Sequence, residues 1–129
     1  MSRSEAEQRN LEIATQMYER VILPFDSTHL ARYVHPDYIQ HSNLAADGRD
    51  GLGAFLDEAK RKFPNARIEI KRAFVDGDYV IFHVAGRLEP GGATAAIIDI
   101  FRMRDGLICE HWEAVQEIPA EFPHANGPF

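Results

Sequence analysis

Asp99 is the residue whose setting most strongly indicates chemistry. It lies within AAIIDIF, residues 95–101, the most apolar stretch of the sequence. A carboxylate in the middle of a core strand is costly unless it is paired, hydrogen-bonded or protonated. Such an acid either faces a pocket, or else faces water or bridges to an arginine such as Arg87. We favour the pocket acid, because acids in perturbing surroundings cluster at functional sites.

Two further residues have side chains suited to proton transfer beside such an acid. His41 ends a short predicted strand over residues 38–41, and a neutral imidazole would serve as a general base near pH 7. Otherwise His41 is a surface histidine that anchors a loop. Tyr18 lies on the apolar stripe of the first predicted helix, where a buried phenol needs a hydrogen-bond partner. In a pocket its hydroxyl would donate to a substrate oxygen, and elsewhere Tyr18 is a core residue.

His111 and Trp112 compete for the place opposite Asp99, because a one-residue slip in strand pairing exchanges the two faces of a strand. A two-residue turn at Asp105-Gly106 brings Trp112 opposite Asp99. A three-residue loop that uses the same glycine as a bulge brings His111 there. We favour the second arrangement, since an Asp-Gly pair at the end of a loop suits a type I turn followed by a bulge.

His83 also lies inside an apolar strand, where it either lines a pocket or is a core histidine with satisfied hydrogen bonds. A metal site could be suspected at His41, His83, Asp99 and His111. Their spacing fits no metal-binding motif, and neither HxH nor HExxH occurs. Dinucleotide and Walker signatures are also lacking, and the single cysteine, Cys109, excludes an intrachain disulfide. The sequence therefore predicts no metal and no cofactor.

The elements that must position these residues divide into two halves. Apolar residues at helical spacing predict helices over residues 5–23, 27–34 and 50–63, each ended by a proline. From residue 68 the period changes to two, which predicts four long strands joined by short turns. Helices at one end and strands at the other indicate an α+β fold, whose twisted antiparallel sheet wraps around the helices and encloses a pocket.

Length and charge narrow the class of protein further. We expect a single domain over residues 1–129, because 129 residues suffice for one core. Lys and Arg total 14 against 20 Asp and Glu, and this net charge of -6 argues against nucleic acid or an anionic membrane as partner. The N-terminus has no apolar signal segment, and no stretch reaches the ~18 apolar residues that span a bilayer. We therefore expect a soluble cytoplasmic protein.

Several motifs resemble those of SnoaL-like polyketide cyclases. YIQH at residues 38–41 and DGRDG at 47–51 resemble the family's YIQH and DGREG. IDIFR at 98–102, DG at 105–106 and EHW at 110–112 resemble its DIFR, DGKI and EHW, and the terminal NGPF resembles NGMF. The resemblance covers nearly the whole chain and extends to ketosteroid isomerase, within the superfamily named for nuclear transport factor 2. It implies a cone of curved antiparallel sheet, with about four long strands and a short one, around three helices, and dimers that form through the sheet.

The resemblance also implies roles for three residues. The oxyanion tyrosine of ketosteroid isomerase falls on Tyr18, its strand aspartic acid on Asp99, and its general base on His41, where the residue type differs. SnoaL-like cyclases similarly use a strand aspartate as acid or base. The implied activity is cofactor-independent isomerisation or aldol cyclisation of an apolar ketone or polyketide-like substrate. His41 would take the proton, and a neutral Asp99 with Tyr18 would stabilise the oxyanion.

We therefore expect Asp99, His41, Tyr18 and His111 to be catalytic. Substrate contacts are expected from His83, Phe101, Trp112, Phe55 and Phe82. The alternative is a non-catalytic ligand-binding or dimerisation module, in which Asp99 bridges to Arg87. A pocket with His41 within about 7 Å of Asp99 would favour the enzyme, since one substrate must reach both groups. The proline-rich tail after residue 118 is expected to dock near the pocket through Phe122 and Phe129.

Overall fold

The computed structural model describes residues 2–129. Its helices are α1 (Glu5–Met17), α2 (Leu30–Tyr33) and α3 (Gly48–Lys62), and a π-helical turn over Tyr18–Ile22 extends α1. Its strands are β1 (Val34–Gln40), β2 (Arg67–Asp76), β3 (Tyr79–Arg87), β4 (Ala95–Arg104) and β5 (Leu107–Glu117). The predicted α+β class, with three helices, a short strand and four long strands, is confirmed.

The first helix begins at a capping box. The Ser4 hydroxyl accepts the Glu7 backbone N–H at 3.1 Å, and the Glu7 carboxylate accepts the Ser4 N–H at 2.9 Å, which satisfies two backbone donors of the first turn. The helix packs against β2 and β3, and Ala14 and Met17 are buried on its inner side. A π-helical turn, a feature that recurs at functional sites, then begins at Tyr18 and presents this side chain to the interior.

The chain between α1 and α3 differs from its prediction. The second helix covers only Leu30–Tyr33, whereas residues 27–34 were predicted as helical. The backbone is already extended at Val34, so Pro36 lies inside β1 and does not end a helix. Proline is tolerated there because β1 is the edge strand of the sheet, and the residue before a proline favours extended backbone.

The five strands form one curved, unclosed sheet in the order β1-β5-β4-β3-β2. The four long strands pair as the predicted antiparallel meander. The short strand β1 instead pairs with β5 in parallel, so the sheet is mixed at that edge. The inner face of the sheet and the three helices share one apolar core, and β5 lies between β4 and β1.

The β4–β5 hairpin contains both a tight turn and a bulge. Asp105 and Gly106 have φ angles of 54° and 75°, which are typical of a two-residue type I′ turn. The predicted three-residue loop is therefore wrong. A bulge occurs nevertheless, but within β5, where Ile108 pairs with Met103 and the register then shifts past Cys109. The extra residue exchanges the faces of the strand beyond it.

The tail lies on the outer face of the sheet. The Phe129 ring packs 5.4 Å from the His83 ring, measured between centroids, and the Lys71 ammonium lies 5.6 Å from the centroid of the same ring. Phe122 contacts only His124 among the aromatic rings of residues 2–129. The predicted docking of the tail near the pocket is thus wrong, because the interior cavity is lined by residues up to Glu113. In residues 2–129 no helix is long and apolar enough to cross a bilayer.

Candidate active site

A partly open cavity of about 70 Å³ lies between the end of α1, the first turns of α3 and the inner face of β1, β4 and β5. Apolar side chains form most of its wall. Seven polar residues share the remaining wall: Tyr18, Tyr38, Gln40, Ser42, Asp99, His111 and Glu113. A few converging polar groups in an apolar cavity are typical of small-molecule sites, although such sites usually measure about 300 Å³ or more.

Asp99 lies at the centre of the polar wall and is 2% exposed. Its Oδ2 accepts a hydrogen bond from the Tyr18 hydroxyl at 2.8 Å, and its Oδ1 lies 2.7 Å from Nε2 of His111. Arg87 takes no part, because its guanidinium donates to the Thr94 hydroxyl at 2.9 Å. The structure therefore places Asp99 in the pocket arrangement and not in the arginine-bridged one.

The protonation of His111 follows from its second nitrogen. Nδ1 of His111 lies 2.8 Å from Oε1 of Gln40, and the Ser42 backbone N–H donates to the same Oε1 at 3.1 Å. A backbone N–H needs an acceptor, so this amide atom is oxygen, and Nδ1 of His111 must carry a hydrogen. The contact between Nε2 and Asp99 consequently holds the remaining proton, either on the imidazole or on the carboxyl group. His111 and Asp99 thus form one proton-sharing pair.

Glu113 is a site residue that the sequence analysis missed. It pairs directly opposite Asp99 across the β4–β5 ladder, just as His111 pairs opposite Phe101. Its carboxylate accepts the Ser42 hydroxyl at 2.9 Å. Burial, and then the negative charge of Asp99, raise the pKa of the Glu113 carboxyl above its usual range. The period of two from His111 was the signal that could have revealed Glu113.

Two tyrosines keep their protons at this site. Burial, followed by the charge of Asp99 and the hydrogen bond to it, raises the pKa of Tyr18 well above the ordinary phenol value. Burial is also the main cause that raises the pKa of Tyr38. Both hydroxyl groups are therefore donors over the whole physiological range. Tyr18 lies in the cavity wall, where its hydroxyl donates to Asp99, and its expected role as a donor to a substrate oxygen stays a prediction.

His41 and Trp112 lie on the outer face of the sheet, which corrects their expected places in the pocket. The His41 ring stacks on Trp112 at 5.0 Å between centroids, and Nε2 of His41 lies 2.6 Å from Glu110 Oε2. Successive residues of a strand point to opposite faces. Gln40, one residue earlier, therefore takes the inward position expected of His41, and the bulge sends Trp112 outward.

The remaining predicted substrate contacts fall in three different places. His83 is on the outer face, where its Nδ1 contacts the Arg72 guanidinium, so its expected pocket position is wrong. Phe82 is fully buried in the core, with its ring 5.3 Å from that of Tyr18, and the cavity lies beyond it. Phe55 and Phe101 line the cavity, and Phe101 stacks on His111 at 4.8 Å between centroids.

The histidines and acids considered for a metal do not come together as a set, because His41 and His83 lie outside the cavity. Within residues 2–129, Asp99, His111 and Glu113 have ligand atoms that all lie within 4.8 Å of one another, so these three could hold a cation. In the structure the same atoms bond to each other and to protein donors. The arrangement suits proton exchange among three titratable groups without requiring an ion.

Together, the curved sheet around three helices and the polar-walled cavity between them define the cone fold of nuclear transport factor 2-like proteins. Residues 14–111 match the family model described as the SnoaL-like domain. The chain belongs to this SnoaL-like family.

Solved structures with low sequence identity share the fold. The chain is similar to a loop-truncation variant of IdmH from Streptomyces antibioticus, with a TM-score of 0.72, 19% identity, and coverage of 82% of this chain and 91% of that one. It is similar to an NTF2-like protein of Mesorhizobium loti, with a TM-score of 0.73, 19% identity and coverage of 89% and 97%. It is also similar to a SnoaL-like polyketide cyclase of Agrobacterium tumefaciens C58, with a TM-score of 0.71, 11% identity, and coverage of 83% of this chain and 91% of that one. No curated protein has a matching sequence.

Proposed function

We propose that the protein catalyses cofactor-independent acid–base chemistry on an enolisable ketone, as an isomerase or an aldol cyclase. The single observation that carries this proposal is the buried chain of hydrogen bonds from Tyr18 through Asp99 to His111, at 2.8 Å and 2.7 Å, on the wall of an apolar cavity. Apolar ketones match such a cavity, and the polar wall matches a carbonyl oxygen.

Enolisation makes two demands on a site. A base must remove a proton beside the carbonyl group, and a donor must stabilise the oxygen as it becomes negative. The Tyr18 hydroxyl and the proton held between Asp99 and His111 are the donors for the second demand, and each must turn from its present partner toward the substrate oxygen. Ketosteroid isomerase likewise pairs a tyrosine with a protonated aspartic acid to stabilise its oxyanion.

A non-catalytic ligand-binding module is the second candidate, and two observations favour it. The cavity of about 70 Å³ is smaller than most ligand sites, and His41 does not face it. The sequence criterion for an enzyme, which placed His41 near Asp99, is therefore not met. The criterion for an interaction module is not met either, because Arg87 does not contact Asp99.

The two candidates differ in whether the protein exchanges protons with a ketone. We expect the wild-type protein to accelerate deuterium incorporation into cyclopentanone or 2-tetralone in D₂O, followed by proton NMR. Asp99→Asn keeps the shape and a hydrogen-bond donor but cannot exchange a proton. If Asp99 transfers a proton, exchange falls on the order of 10²–10⁴-fold; if it only stabilises the oxyanion, much of the rate remains. Glu110→Gln on the outer face is the matched control and leaves the rate within about threefold. Failure of the wild-type protein to accelerate exchange supports the binding module. Exchange that Asp99→Asn retains would instead mean that Asp99 acts only as a hydrogen-bond donor to the oxyanion.

We further propose that two copies associate through the outer face of the sheet. Ile98 and Phe74 are exposed there, and the half-buried Ile81, Ile100 and Trp112 lie side by side in the register of three strands. Broad apolar faces are normally covered. Light scattering at micromolar concentration is expected to give about twice 14.6 kDa. Ile100→Glu is expected to give a monomer, whereas a monomeric wild-type protein would contradict the proposal.

A further inference from the structure

The proposed chemistry leaves one role unfilled. The sequence assigned the general base to His41, whose ring lies on the outer face and stacks on Trp112. The pair of Asp99 and His111 already holds the proton that stabilises the substrate oxygen. Among the residues that line the cavity, Glu113 is the remaining side chain with an acid–base group that titrates near neutral or acidic pH.

The position of Glu113 follows from strand pairing. It lies directly opposite Asp99 in the antiparallel ladder, so the two carboxyl groups project side by side from the inner face. An oxygen of Glu113 lies within 4.8 Å of both the Asp99 oxygen and the His111 nitrogen. Two carboxylates so close do not ionise independently, which makes the proton on one depend on the state of the other.

We propose that Glu113 is the general base of this site, the residue that takes a proton from the carbon beside the substrate carbonyl. This inference rests on the proposed function. The C–H bond breaks, its proton passes to a Glu113 carboxylate oxygen, and its electron pair forms the enolate. Glu113 then returns that proton to a second carbon in an isomerisation, or to the alkoxide that follows C–C bond formation in a cyclisation. No oxidant, reductant or other co-reactant is needed.

The environment of Glu113 favours its role as a general base. Burial and the nearby Asp99 make its carboxylate a stronger base than an ordinary glutamate, and a base is most effective when its acidity lies near the working pH. The Ser42 hydroxyl, which donates to Glu113 at 2.9 Å, holds the carboxylate in place. Ser42 therefore acts as a positioning residue, and not as a proton acceptor.

Glu113 also has a route to solvent. It lines the inner cavity and, together with Leu44, an outer recess of about 500 Å³ that includes His41 and Val115. Leu44 is 56% exposed and lines both spaces, so it lies where the two meet. A proton that Glu113 holds can thus exchange with water without crossing the apolar wall.

The groups that set the charge on Glu113 come from four elements. Asp99 faces it from β4 and His111 from its own strand, β5. Tyr18, from the π-helical turn, and Tyr38, from β1, feel the charge of Glu113 and remain neutral. Asp99 raises the pKa of Glu113 and His111 lowers it, and the effect of Asp99 is the larger. Replacement of Asp99 by Asn is therefore expected to make Glu113 more acidic.

The first experiment needs no substrate. Protein labelled with ¹³C at glutamate carboxyl groups is titrated by NMR, and the signal that Glu113→Gln lacks is assigned to Glu113. We expect this signal to titrate above the other glutamates, and to titrate at lower pH in Asp99→Asn. A Glu113 signal that titrates with the exposed glutamates and does not respond to Asp99→Asn would overturn the inference.

The second experiment measures deuterium exchange of cyclopentanone and 2-tetralone against pH. The wild-type rate is expected to rise with pH through the midpoint that NMR gives for Glu113, because only the carboxylate is a base. The exchange rate of Glu113→Gln is expected to be about 10²–10⁴-fold lower and no longer to depend on pH in this way. Glu113→Asp is expected to keep the pH dependence at a reduced rate. Ser42→Ala is the positioning control, with a smaller loss and the same form of pH profile.

The two proposals fail in different ways. If Asp99→Asn abolishes exchange while Glu113→Gln retains both its rate and its pH profile, the enzyme proposal stands and Glu113 is not the base. If the wild-type protein exchanges neither ketone, the proposed function fails, and the inference about the base fails with it. If exchange by the wild-type protein requires added Zn²⁺, Asp99, His111 and Glu113 form a metal site, and the general-base role is overturned.

Discussion

Two histidine–carboxylate pairs lie on opposite faces of the same strand region. On the inner face, His111 meets Asp99 at 2.7 Å, and on the outer face His41 meets Glu110 at 2.6 Å. The side chains of the inner pair are 10% and 3% exposed, whereas those of the outer pair are 42% and 16% exposed. Contact chemistry alone therefore does not identify a site: the same two residue types form a cavity wall on one face and a surface ion pair on the other.

The two pairs also differ in what surrounds them. The inner pair is joined to Tyr18 and, through His111, to Gln40, so that every polar atom has a fixed protein partner. The outer pair is joined to Arg102, which donates to Glu110 at 2.8 Å. A compensating guanidinium and contact with water keep the outer carboxylate ionised, while the inner carboxyl shares a proton with its histidine.

The largest expected difference between the two pairs is in activity. His111→Phe preserves the stacking on Phe101 but removes the proton shared with Asp99, so ketone exchange is expected to fall at least about 10²-fold. His41→Phe preserves the stacking on Trp112 and is expected to leave the rate within about threefold. Initial rates of ketone exchange by the two purified variants measure this difference. Equal losses would remove the functional distinction between the two faces.

Stability is expected to separate the same two sites. His111→Ala leaves Asp99 and Gln40 without their partner inside the protein, and loss of one member of a buried pair costs about 3–5 kcal/mol. His41→Ala breaks a surface pair, which typically costs about 0–1 kcal/mol. Urea unfolding followed by circular dichroism measures both values. A cost for His41→Ala as large as that for His111→Ala would show that the outer pair stabilises the sheet as strongly as the inner one.

Two glutamates on β5 are expected to give pH dependences of opposite sign. The hydrogen bond from His41, with help from Arg102, lowers the pKa of Glu110, so its contribution to stability is present above the unfolded pKa and is lost as pH falls through the folded one. Burial and Asp99 raise the pKa of Glu113, so the folded state binds more protons, and stability decreases as pH rises from the unfolded value to the folded one. Thermal unfolding of Glu110→Gln and Glu113→Gln between about pH 3 and 8 tests both signs. We expect Glu110→Gln to lose only the fall in stability toward low pH, and Glu113→Gln to lose only the fall in stability toward high pH.

The fold was largely predictable because its signals are local. Helical spacing ended by prolines and alternation after residue 67 are carried by neighbouring residues, and they predicted three helices and the meander. The error at Pro36 arose because a proline ends a helix and is also tolerated in an edge strand. Only the pairing of β1 with β5, which lies far along the chain, distinguishes these outcomes.

The site was predictable in part. Asp99 and Tyr18 were found because a carboxylate or a phenol on an apolar stripe needs a partner, which is a local argument. His41, His83 and Trp112 were assigned to the wrong face because the phase of each strand depends on pairing that the sequence does not show. His111 was placed inward through a turn that does not form, and the inward position arises from the bulge at Cys109. Glu113 was missed because the same bulge, which the sequence does not reveal, places it opposite Asp99.

The bulge at Cys109 determines which side chains of β5 face the cavity. A single inserted or deleted residue in β5 acts as a phase switch, because it exchanges every later side chain between the interior and the exterior while the turn and the strand order stay as they are. Removal of that one residue would turn Trp112 and Ala114 toward the cavity and His111 and Glu113 toward the outside. One insertion or deletion in β5 therefore changes two surfaces at once: the side chains that line the cavity and the side chains on the outer face that is proposed to form the dimer.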